Sequence, residues 1–138
     1  MDKSLSYMAI ARKAGRIELG EEPAGAAAQT GRASLLLVAG DASDHTWRKA
    51  RHFVAGTAIP CVRVAHTKDQ LGQAIGRQFL ALAAFTDDSL ALAFLKALEH
   101  KSEDAEKALQ AMEAKPRKPA QKTGFRSKKQ GRSRPAAK

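Results

Sequence analysis

The chain has 138 residues, a net charge of +10, few aromatic residues and one cysteine. That length suits one domain with an appendage. No apolar run approaches the ~20 residues of a membrane span, a lone cysteine excludes an internal disulfide, and the first residues, Met1-Asp2-Lys3-Ser4-Leu5-Ser6-Tyr7, lack the basic-then-apolar layout of a secretory signal. A cytoplasmic protein is the expectation. The location of the charge matters more than its size. Residues 1–114 hold 14 Lys and Arg against 14 Asp and Glu, whereas residues 115–138 hold 10 Lys and Arg and no acid. A neutral body is followed by a polycation, and a cytoplasmic polycation points to nucleic acid.

In chain order, Leu5, Met8, Ala9 and Ala11 have helical spacing, and Gly15 can close that helix. Arg12, Lys13 and Arg16 cluster at its end, where they either complement the helix dipole or meet phosphate. Arg16-Ile17-Glu18-Leu19 alternates as a short strand. Gly20-Glu21-Glu22-Pro23 opens an Ala-rich helix, because acids and proline suit a first turn. A helix that opens on glycine leaves backbone N–H groups free for an anion.

Ser34 to Gly40 is a continuous apolar run that predicts a strand buried on both faces. Ser43 or Asp44 caps the next helix, which ends at Gly56, with Trp47, Ala50, Phe53 and Val54 on one side and Arg48, Lys49, Arg51 and His52 on the other. Ile59 to Val64 is the next strand, with Pro60 at its start and Cys61 as a small core residue. Thr67 caps a short helix with Leu71, Ala74 and Ile75 inward; Leu80 to Phe85 is the last strand. Asp87 and Asp88 start a helix with Leu90, Ala93, Phe94 and Leu98 on its apolar side. Glu103 to Glu113 forms a further helix, with Glu103 and Lys107 at a supportive spacing. The alternation predicts an α/β fold with a four-stranded sheet between helices. Residues 1–100 are expected as the body, 101–114 as a helical extension and 115–138 as a disordered basic tail, since the tail has no periodic apolar face.

Enzyme chemistry finds little support. Asp41, Asp87 and Asp88 follow strands and could hold Mg²⁺, but each reads more simply as a helix start. His45, His52, His66 and His100 show no paired metal-ligand spacing. Gly15-x-x-x-x-Gly20 lacks the Lys-Ser/Thr of a phosphate-binding loop. No catalytic residue, no metal site and no cofactor are expected.

Several runs taken together carry more weight: Ala14-Gly15-Arg16-Ile17-x-Leu19-Gly20-Glu21-Glu22, then Leu35-Leu36-Leu37-Val38-Ala39-x-Asp41-Ala42-Ser43-x-x-Thr46, Ile59-Pro60, Leu71-Gly72-x-Ala74-x-Gly76, and a strand ending Thr86-Asp87. In this order, over about residues 5–98, the chain resembles the kink-turn RNA-binding ribosomal proteins of the L-seven-Ae and L-thirty-e type, in particular their bacterial YlxQ-like branch. The resemblance implies a three-layer α/β/α sandwich with a mixed sheet. It also implies an RNA surface built from the helix start at Gly20, the beginning of the helix that follows Ser43, and the loop after Gly76. Residues Arg16, Gly20, Glu21, Glu22, Gly76, Arg77 and Gln78 are the expected body contacts, with Phe79 in the same loop.

The family reads RNA with Gly-x-Asn-Glu-x-x-Lys. Here Glu22 stands for the Asn, Pro23 for the Glu and Ala26 for the Lys. Each lost base-reading contact costs ~1–3 kcal/mol of discrimination, by analogy with DNA readout. The tail cations Lys115, Arg117, Lys118, Lys122, Arg126, Lys128, Lys129, Arg132 and Arg134 are expected to supply affinity without sequence reading. The expected partner is ribosomal or other structured RNA, with the ribosome as its setting, no membrane, and a monomeric chain. The competing expectation is a protein-interaction module whose Glu21/Glu22 rim meets another protein while the tail localises it.

Overall fold

A computed structural model describes residues 2–114. In order it contains α1 (Lys3–Ala14), β1 (Ile17–Leu19), α2 (Glu21–Gln29), β2 (Leu35–Val38), α3 (Asp44–Val54), β3 (Cys61–Arg63), α4 (Lys68–Ala74), β4 (Leu82–Phe85), α5 (Asp88–Ala97) and α6 (Glu103–Ala114). The four strands form one sheet in the order β1-β4-β2-β3. β4 is antiparallel to both β1 and β2, and β2 is parallel to β3, so the sheet is mixed. α2 and α3 touch each other and the sheet; α1 packs on α4 and α5, and α6 packs on α5 and β3. The result is the expected helix–sheet–helix sandwich.

The apolar runs explain the layering. Leu35 to Val38 and Leu82 to Phe85 are buried throughout, as strands covered on both faces must be. The Phe85 and Phe94 rings meet at 5.2 Å in the core. On α5 the buried residues are Ala91, Leu92, Phe94 and Leu95, while Leu90 and Ala93 are half-buried. Leu90 still packs against the core, so only Ala93 departs from the expected face. A helix that is apolar nearly all round offers no periodicity from which to choose a face. α6 buries Ala105, Ala108 and Met112, and Lys107 meets Glu103 at 3.7 Å.

Helix ends follow local chemistry. Gly15 takes φ 69° and closes α1, a left-handed conformation that favours glycine. Ser43 caps α3, Asp87 caps α5, and Thr67 forms a capping box with Gln70 on α4. Asp41 is a correction. It does not start a helix of its own; its Oδ1 accepts from the Lys68 N–H at 2.8 Å, serving the first turn of α4 from the loop after β2. Arg12 also ties elements together, donating to the Ile75 carbonyl at the end of α4. Its partner is thus a helix C-terminus, whose carbonyls attract cations.

Candidate nucleic-acid interface

At the N-terminal end of β4 the surface opens into a groove of about 500 Å³, lined by Gly20, Glu21, Thr46, Arg77, Gln78, Phe79, Leu80, Ala81 and Leu82. Three separate segments meet there: the start of α2, the first turn of α3, and the loop between α4 and β4. The sheet register brings them together. The Gly20 N–H donates to the Leu82 carbonyl at 2.9 Å, joining the end of β1 to the start of β4. The Ala39 N–H donates to the Ala81 carbonyl at 2.9 Å, which fixes the floor against β2.

Gly20 sits at φ 97° and ψ 170°, and no side chain caps α2. Pro23 carries no N–H, so the open backbone donors of this first turn belong to Glu21 and Glu22. The acids suit the positive end of the helix. Glu21 is also neutralised from α3: Lys49 Nζ donates to its Oε1 at 2.7 Å, with about two-fifths of each side chain exposed.

The α4–β4 loop is held to α4 by its backbone. The Arg77 N–H donates to the Gly72 carbonyl at 2.8 Å and the Leu80 N–H to the Lys68 carbonyl at 2.9 Å. Gly72 makes this approach possible, since a β-carbon there would lie 2.6 Å from both the N and the Cα of Phe79. Gly76 turns the chain at φ 77°. Arg77 makes no ion pair with a described residue, and Phe79 is 61% exposed, one of two large apolar side chains left so open among the described residues.

Of the residues expected at the site, the fold brings Gly20, Glu21, Arg77 and Gln78 to the groove, and Gly76 sets the turn that delivers the last two. Glu22 is exposed on α2 beside the groove but does not line it. Arg16 lies at the other end of β1, where its carbonyl accepts from Thr86 N–H at 2.9 Å. Four residues of extended chain, about 13 Å, separate it from Gly20. Lys115, Arg117, Lys118, Lys122, Arg126, Lys128, Lys129, Arg132 and Arg134 lie outside the described residues. The start of α3 was expected at this surface, and Thr46 is the residue that brings it there. Sequence reasoning missed Lys49, which does not line the groove but holds Glu21, which does; its only local signal was its place in the second turn of a basic helix.

The family model described as "Ribosomal protein L7Ae/L30e/S12e/Gadd45 family" matches residues 2–93. Among solved structures, one similar chain is a protein with unknown function from Bacillus halodurans C, 26% identical, with a TM-score of 0.66, covering 72% of this chain and 100% of its own. Another is a Giardia lamblia 15.5kD RNA binding protein, 19% identical, with a TM-score of 0.58, covering 78% of this chain and 85% of its own. At that identity the second likeness concerns the fold. No curated protein matches the chain in sequence.

Proposed function

The chain belongs to the ribosomal protein L7Ae/L30e/S12e/Gadd45 family, and from that premise we propose that it binds structured RNA through the groove at the start of α2. The observation that carries this reading is the meeting of three segments around one open groove with Arg77 on its wall. A sharply bent RNA backbone presents phosphates and splayed bases to such a surface. The open N–H groups of α2 and the Arg77 guanidinium suit phosphate, and the exposed Phe79 ring suits an unpaired base.

The finer reading assigns ribosomal RNA as the target, a kink-turn-like bend as the preferred shape, the bacterial YlxQ-like branch as the lineage and the cytoplasm as the compartment. The body recognises contour, and the ten tail cations hold polyphosphate without reading sequence. Crosslinking the full chain in cells and sequencing the bound RNA tests it. Structured ribosomal RNA segments should dominate, and Arg77→Ala should weaken binding while lowering the salt slope by roughly 0.7–0.9. Recovery of unstructured transcripts in proportion to their abundance would count against it. One observation favours a second reading: a ring as exposed as Phe79, beside an acidic rim, also fits a protein partner. Phe79→Ala would then abolish protein capture and leave RNA binding unchanged.

A further inference from the structure

One ion pair joins α2 to α3 at a residue that lines the groove. Lys49 and Glu21 are the only oppositely charged side chains among the described residues that bridge α2 and α3 at this mouth, at 2.7 Å. Each is about two-fifths exposed, so the pair contributes little to stability and opens cheaply. Thr46 stands one turn before Lys49 on α3 and lines the same groove, with Arg77 also on the wall. A phosphodiester entering the groove meets the Arg77 guanidinium, the Thr46 hydroxyl and the Glu21 carboxylate, whose bound Lys49 is the nearest cation outside the lining itself.

We infer that Glu21 is an internal stand-in for phosphate: in the free protein it occupies Lys49, and on binding Lys49 passes from the Glu21 carboxylate to an RNA phosphate. This rests on the RNA-binding reading above and adds to it a residue, Lys49, and a regulating competitor, Glu21. At the ammonium one anion replaces another and no proton moves, and the released Glu21 carboxylate, two-fifths exposed, is compensated by solvent and counterions. It also gives selectivity. A ligand with isolated charge gains little by displacing a tethered carboxylate. A backbone already held at Arg77 gains more, because the second contact is then intramolecular.

The alternative is that the pair is a strut that fixes α3 on α2 and persists in the complex. The two accounts differ in sign. If Lys49 transfers, Glu21→Gln raises affinity for a bulged RNA hairpin by about 2–5-fold at low salt, the scale of an exposed ion pair. Lys49→Met then lowers affinity, and lowers it more in the Glu21→Gln background than in the wild type, while reducing the salt slope by about 0.7–0.9. Lys49→Arg restores the slope. If the pair is a strut, Glu21→Gln weakens binding, and Lys49→Met costs no more in its presence than alone.

The experiment is a salt titration of the full chain and these variants against that hairpin, with thermal unfolding recorded for each. A loss of affinity in Glu21→Gln, or equal Lys49→Met effects in both backgrounds, overturns the exchange while leaving RNA binding intact. Absence of hairpin binding by the wild type at low salt overturns both.

Discussion

Gly72→Ala should damage both the fold and the groove. Gly72 lies inside α4, so alanine gains about 1 kcal/mol of helix propensity. Against this, its β-carbon would sit 2.6 Å from the N and Cα of Phe79 and 2.9 Å from the carbonyl carbon of Gln78. These are backbone atoms, which cannot turn aside as a side chain can. Relief requires the loop to lift, and lifting strains the bonds from Arg77 N–H to Gly72 and from Leu80 N–H to Lys68. Overpacking costs typically ~1–3 kcal/mol, and each weakened hydrogen bond adds up to about 1 kcal/mol. The net expectation is a loss of about 1–2 kcal/mol, with roughly 4–8 °C in Tm for each kcal/mol in a domain of this size. Urea unfolding should show a lower midpoint with an unchanged slope, and the amide resonances of residues 76–80 should shift. Gly25→Ala is the comparator. Its β-carbon meets the far end of the Phe53 ring at 2.7 Å, a half-buried group that can rotate, so its cost should be smaller. A Gly72→Ala protein as stable as the wild type, with unmoved resonances in that loop, would refute the argument.

Three further outcomes are expected. Asp2 is pushed up by burial, but hydrogen bonds from Ser4, His66 and the Leu5 N–H, with the His66 charge, outweigh this and lower its pKa from 3.8 to about 2. A depressed acid contributes stability above its unfolded pKa and loses it as pH falls; the contribution, about 1 kcal/mol after discounting for exposure, should vanish between pH 4 and 2, and Asp2→Asn should flatten that part of the pH–stability curve. Asp41→Ala should cost ~1 kcal/mol by removing the carboxylate that receives the Lys68 N–H, measured by chemical unfolding. The Cys61 thiol, pushed up to about 12 by burial despite the nearby Arg51, should react slowly with a thiol reagent at pH 8 in the folded protein and rapidly once unfolded.

Much of the architecture was legible because its signals are local. The run from Leu35 to Val38 announces a doubly covered strand, Gly15 a helix end, and Thr67 and Asp87 helix starts. The groove was legible in part. The glycine before Glu21 marks a helix start without a cap, and Leu71-Gly72-x-Ala74-x-Gly76 marks the turn before Arg77. What escaped is tertiary. Asp41 serves a helix 27 residues away, and Lys49 reaches Glu21 across 28 residues, so neither partner is visible from spacing. Arg16 shows how spacing along the chain misleads about distance. Four residues from Gly20 is close along the chain, but an extended strand spends that spacing carrying the two ends apart. The Ala93 correction has a different cause, since α5 is too uniformly apolar for its exact face to be read from its sequence.

These features also reframe the acidic start of α2. Read as sequence, Glu21 and Glu22 oppose phosphate. In the fold, Glu21 is held by Lys49, Arg77 lines the groove without an acidic partner among the described residues, and Glu22 is not part of the lining. The mouth is therefore less negative than the sequence suggests.

The division of labour between a contour-reading body and a cationic arm is tested most directly by one salt titration. The full chain and a chain ending at Ala114 are compared on a bent hairpin and an unstructured strand of equal length. The account predicts that truncation weakens both RNAs and flattens both salt slopes, while the shorter chain still prefers the hairpin. Unchanged affinity and slope on truncation, or loss of the hairpin preference with the arm, would contradict it.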